Sequence, residues 1–218
     1  NFLACAGRAG VSEVYQHFPK ESLLPEGEGQ AFVARMRKKQ IDVYALMGEA
    51  EWAYDAQGES LIERIGRVVD YNERQPRESR IMGVMVDVEP YLLEEWEEKE
   101  EKRPGLMQSY LGCIQQGYQY AAQHDLEFLV CIPIFYDTSC PDILEALVRD
   151  CCDGIAVMNY NRTDEYAQMA KEVELARAYG KGKLLFLSVP IERHAANQPR
   201  AFLPGSESYY KIYQLAAA

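Results

Sequence analysis

The sequence predicts an α/β protein, a parallel sheet wrapped by helices. Three observations predict it. Apolar, β-branched runs alternate strictly with amphipathic helical segments, the pattern of parallel strands joined by helical crossovers. The runs are apolar at consecutive positions, as at residues 81–86 and 128–134, which marks strands covered on both faces. No Gly-x-Gly-x-x-Gly or Walker-type loop follows any of them, so the nucleotide-binding sheets lose support. The remaining candidate is a (β/α)8 TIM barrel, with an open six-stranded sheet as the alternative.

The bulk numbers narrow the class. The chain has 218 residues, short of the ~250 typical of a complete barrel. The expectation is one barrel domain over residues 1–218, trimmed at both ends, with strands 1 and 8 outside the chain. Hydrophobic residues make up 48% and charged residues 26%, which excludes a disordered or collagen-like chain. A net charge of −11 argues against nucleic acid and anionic membrane surfaces as partners. No apolar run approaches the ~20 residues needed to span a bilayer. Six cysteines are more than a chain of this length needs as staples, and read as reduced structural thiols. Their usage leans towards a cytoplasmic protein, although a targeting segment upstream of residue 1 stays open.

The elements follow in order. Residues 1–9 read as a helix closed by Gly10, and 11–18 as a strand. Residues 30–40 form an amphipathic helix with Phe32, Val33 and Met36 inward, before a strand at 41–47. Residues 61–71 are a second helix, with Leu61, Ile62, Ile65, Val68 and Val69 on one side, feeding a strand at 83–89. The charge run at 94–102 reads as a solvated helix start. Then come a helix at 106–124, a strand at 126–135, a helix at 143–149, a strand at 154–161 and a helix at 166–179 stopped by Gly180. A strand at 184–191 and a helix starting at 209–217 complete the chain. In a barrel register the strand at 83–89 is strand 4, 154–161 is strand 6 and 184–191 is strand 7.

In such sheets ligands bind at the C-terminal ends of the strands. The strand at 83–89 ends with Asp87 and Glu89, two apart, so both acids project to one face. Paired carboxylates in a cleft suit general acid/base work on a polar substrate. Other strand ends supply Tyr91, Tyr136, Asp137, Asn159, Tyr160, Asn161 and Glu192, with Trp52 in a loop. Acids, amides and aromatic faces are what a sugar ring needs, hydroxyls to satisfy and C–H faces to stack. No Ser or Cys nucleophile lies beside a base. His17 and His194 lack a second ligand at metal spacing, so neither metal nor cofactor is expected. The expected partner is a carbohydrate substrate; oligomeric state is not set by the sequence.

The Val86-Asp87-Val88-Glu89 strand end, with Met158-Asn159-Tyr160-Asn161 two strands later, resembles the family 18 glycoside hydrolases. These are the chitinases and endo-β-N-acetylglucosaminidases, which are (β/α)8 barrels. The family's Asp-x-x-Asp-x-Asp-x-Glu motif would place its acid at Glu89, its last Asp at Asp87 and its strand 6 tyrosine at Tyr160. Met82 and Met85 stand at the two earlier Asp positions. The resemblance implies that Glu89 protonates the glycosidic oxygen while the substrate's own acetamide attacks the anomeric carbon. Asp87 would orient that acetamide and Tyr160 would hydrogen-bond its oxygen.

Two rival readings stand beside this one. Glu89 and Glu192 would serve as acid and nucleophile in a retaining glycosidase. Alternatively, the chain is a carbohydrate-binding or structural barrel without catalysis, which Met82 and Met85 favour.

Overall fold

A computed structural model of the chain describes residues 11–97, 100–159, 165–188 and 211–214. Strands β1 (Glu13–His17), β2 (Asp42–Met47), β3 (Gly83–Val86), β4 (Glu127–Pro133), β5 (Gly154–Asn159) and β6 (Lys183–Ser188) run parallel in sequential order. Helices α1 (Glu28–Arg37), α2 (Glu59–Glu73), α3 (Arg103–Gln123), α4 (Pro141–Asp150) and α5 (Ala170–Ala178) form the crossovers. Each helix exists for a local reason. α2 buries Leu61, Ile65, Val68 and Val69 along one stripe. α4 starts at Pro141, whose fixed φ suits a first turn, and buries Ile143, Leu144, Leu147 and Val148. Each such side chain contributes roughly 1.5–3 kcal/mol on burial.

Strand side chains alternate between two cores. Val43, Val84, Val86, Phe128, Val130 and Ile155 pack with the helices in the larger one. The intervening Tyr44, Met85, Leu129, Cys131, Ala156 and Leu185 form a separate cluster on the other face. That face is concave. β1 and β6 are five strand steps apart, roughly 24 Å in a flat sheet at ~4.8 Å per step. Yet Lys183 Nζ on β6 lies 2.7 Å from Glu13 Oε1 on β1 and 3.0 Å from Glu127 Oε2 on β4. Only a curled sheet brings those groups together. The architecture is a parallel half-barrel of six strands, consistent with an incomplete barrel.

One expected element is corrected. The described part of the helix expected at 209–217, Lys211–Gln214, is instead a strand, β7, antiparallel to β6. The free edge of β6 offers unpaired backbone groups, and Ile212 and Tyr213 have strand-forming side chains. Edge pairing overrides the local apolar pattern. The helix expected at 166–179 is also interrupted at Met169, between Glu165–Gln168 and α5. The helix expected at 1–9 lies outside the described residues. Cys113, Cys131, Cys140, Cys151 and Cys152 are free thiols.

Candidate functional site

The site starts where β3 stops. The last ladder residue is Val86, earlier than the expected 89, but the Asp87 amide still donates to Met47 O at 2.8 Å. Gly48 permits this approach, because a Cβ there would sit 1.8 Å from Asp87 O. At Glu89 the chain leaves extended geometry (φ −114°, ψ 76°), and Pro90 opens a 3-10 turn, Pro90–Leu92. Asp87 is thus held by the sheet, whereas Glu89 stands on the turn.

Glu89 acts on Asp87. Burial, and then the Glu89 charge, push the Asp87 carboxyl up to about 7, with the Cys131 thiol opposing. The register that pairs Met85 with Leu129 and Val86 with Val130 brings Cys131 alongside Asp87. Asp87 Oδ1 is buried without a hydrogen-bond partner among the described residues. Glu89 Oε1 accepts a hydrogen bond from the Tyr91 hydroxyl. Tyr91 in turn meets Trp96 and Phe135 edge-on, at ring separations of 6.5 and 5.3 Å. Phe135 is 38% exposed, so one ring of this aromatic wall opens to solvent. The arrangement sets two neighbouring carboxyls beside a partly open aromatic face, groups suited to proton transfer and to stacking against an apolar ring face.

The other expected site residues fall in different places. Tyr136 is fully buried, stacked on Trp96 at 6.2 Å. Asp137 is partly exposed on the same short helical turn, Tyr136–Ser139. Asn159 is 1% exposed at the end of β5, and its amide donates to Gln168 Oε1 at 2.9 Å. Trp52 is 6% exposed, packed in the larger core by the 3-10 turn Ala50–Tyr54. Tyr160, Asn161 and Glu192 lie outside the described residues. Met85 is 2% exposed in the concave cluster, while Met82 is 37% exposed.

Cys131 is absent from the sequence reading of the site, and Phe135 enters it only as the end of its strand. Cys131 sits in an apolar run and so reads as core. Phe135 had a signal in its position at a strand end. Among the described residues no cluster of three or more metal-ligating side chains forms, and no helix is long and apolar enough to cross a membrane.

No protein-family model and no curated protein matches the chain. Among solved structures, a chitinase from Chromobacterium violaceum superposes with a TM-score of 0.55 at 14% identity. The match covers 86% of this chain and 62% of that one, so the chain spans under two thirds of that chitinase's length. An Ostrinia furnacalis Group II chitinase catalytic domain, solved with penta-N-acetylchitooctaose, gives 0.41 at 13% identity, covering 68% of this chain and 43% of that one. At these identities the likeness is one of fold: the half-barrel is folded like the corresponding part of the first chitinase.

Proposed function

We propose that the half-barrel is the acid-bearing part of a (β/α)8 glycoside hydrolase that cleaves a glycan containing N-acetylglucosamine. The observation that carries this reading is the acid pair after β3, with Asp87 raised to about 7 beside Glu89 and next to a partly open aromatic wall. The likeness in fold to a chitinase supports it. In this mechanism Glu89 is the general acid, positioned by the Tyr91 hydroxyl. A substrate acetamide attacks the anomeric carbon, and Asp87 orients it and offsets the developing positive charge. The proton that Asp87 holds below about pH 7 is available to recharge its neighbour. Tyr160 and Asn161 are assigned by the motif, Tyr160 to the acetamide and Asn161 to substrate binding, and Glu192 is assigned to substrate binding by its place at a strand end.

A second reading is favoured by one observation. Met85, buried and apolar, occupies the position where the resembling motif has a carboxylate, which suits a barrel that binds glycans without cleaving them.

Hydrolysis of a panel of chromogenic glycosides, with and without N-acetyl groups, decides between them. Cleavage confined to N-acetylated substrates, and reduced by Asp87→Asn, is the expected result. Binding without cleavage selects the second reading, and neither activity sinks both.

A further inference from the structure

At the C-terminal ends of β1 and β2 lies a pocket that the glycan reading does not use. Phe18 and Lys20 come to its wall from the turn after β1, Leu46 and Met47 from the end of β2, and Arg64 and Arg67 from α2. The Met47 carbonyl accepts the Asp87 amide at 2.8 Å, so pocket and acid pair share one end of the sheet. The volume is ≈ 310 Å³ with the solvent-open mouth included, but the interior, ≈ 20 Å³, has room for little more than one water. It suits one small polar group rather than a whole sugar ring.

The chain carries a net charge of −11, yet this pocket is cationic. Lys20, Arg64 and Arg67 line it. One carboxylate is bonded among them: Glu63, 68% exposed, accepts from Arg67 Nη2 at 2.7 Å. The other nitrogen of that fork is unused. Arg67 Nη1 is buried without a hydrogen-bond partner among the described residues. A solvated helix face would leave such a nitrogen in water; buried and unpaired, a charged donor is costly and calls for an acceptor. Arg64, three residues earlier, lies on the same face of α2, with its Nη2 3.4 Å from His17 Nε2 at the end of β1. The turn that carries Lys20 is held in place. The Ser22 amide and hydroxyl donate to Pro19 O at 3.0 and 2.8 Å, and Arg74 Nη2 donates to Leu23 O at 2.9 Å.

We propose that this pocket binds a phosphate group, as the free ion or carried by a small ligand such as a phosphorylated sugar. Two guanidiniums supply forked donors that match the oxygens of a tetrahedral oxyanion, and Lys20 adds a point charge. Arg67 Nη1 gains the acceptor it lacks. The site does not rest on the hydrolase reading.

The test is calorimetric titration at constant ionic strength with inorganic phosphate, N-acetylglucosamine 6-phosphate and neutral N-acetylglucosamine. Saturable one-to-one binding of phosphate or the phosphorylated sugar, with a Kd below about 10 mM, is expected. Arg64→Gln and Arg67→Gln should each weaken it about tenfold or more. Lys20→Gln, in an exposed turn that leaves the core untouched, should weaken it several-fold and carries the test if an arginine variant fails to fold. Arg149→Gln, which removes an arginine paired with Asp150 on α4, should leave it unchanged. Any binding of the neutral sugar should be indifferent to all four substitutions. Equal affinity for the two phosphates assigns the free ion, and tighter binding of the phosphorylated sugar assigns the sugar-borne group. Absence of saturable binding overturns the proposal. So does an affinity that no pocket variant lowers, or that Arg149→Gln lowers as much. Phosphate binding in a protein that cleaves no glycoside sinks the hydrolase reading and leaves the pocket standing.

Discussion

The two ends of the concave face are built to opposite specifications. At the N-terminal end, Lys183 reaches Glu13, Glu127 and the Tyr44 hydroxyl, joining four strands. Tyr15 donates to Glu13 and Tyr44 to Glu127, and the two rings stack at 5.1 Å. Every charge there has a partner of opposite sign. At the C-terminal end, Asp87 and Glu89 stand side by side; among the described residues no cation pairs with either, and one Asp87 carboxylate oxygen has no hydrogen-bond partner. The same sheet thus holds a saturated polar cluster at one end and a frustrated acid pair at the other. Saturation closes the curl; frustration leaves a proton to be moved. Under the proposed function, the saturated end is the stability face and the acid pair the reactive face of a parallel barrel.

The comparison can be broken at either end, and the reactive end should give the largest effect. Glu89→Gln keeps shape and hydrogen bonding but removes the transferable proton. Turnover should fall roughly 10²–10⁴-fold, with glycan binding and thermal midpoint nearly unchanged. A parallel loss of stability would mean that Glu89 is a structural residue.

Next in size is Lys183→Met. It leaves Glu13 and Glu127 facing each other across the concave face without a cation. Breaking a buried pair by removing one partner costs ~3–5 kcal/mol. Here, with the Glu127 side chain 31% exposed, about 2–3 kcal/mol is expected by denaturant titration. Acidification should recover part of it, because protonating either glutamate removes the repulsion. A variant as stable as the parent at pH 8 would deny the cluster its role in holding the curl.

A third measurement separates a reactive acid from a buried one. Asp87 and Glu172 are both raised to about 7, chiefly by burial. Their folded values lie above the ordinary 3.8 and 4.5. Each therefore favours the folded state below its ordinary value and loses that contribution as pH rises through about 7. Asp87→Asn and Glu172→Gln should each be more stable than the parent at pH 8 and flatten the stability profile between about 4 and 7. Only Asp87→Asn should also lower turnover, since Glu172 sits fully buried on α5. Equal losses of turnover would place Glu172 in the reactive machinery.

The smallest effect marks the baseline. Glu63 on α2 accepts from Arg67 at 2.7 Å and is held below its usual range by that guanidinium, but its side chain is 68% exposed. Glu63→Gln should leave the thermal midpoint unchanged at moderate salt.

Strand positions, helix positions and the sequential parallel order were legible because their causes are local. Consecutive apolar residues mark the strands, and the Leu61–Ile65–Val68 spacing marks α2. The acid pair was legible too, since two carboxylates at the tip of an apolar strand conflict with burial. What the sequence could not hold is anything that depends on the closure of distant strands. Lys183 and Glu13 read as ordinary surface charges until the curl makes them one ion pair. Cys131 reads as core until β4 brings its thiol to Asp87. β7 was misread because an open edge on β6, visible only once the sheet exists, outweighs the helical pattern at 209–217. Residue pattern and propensity determined the elements. The tertiary structure alone decided which polar groups share a desolvated space, and so which acid holds its proton to about pH 7.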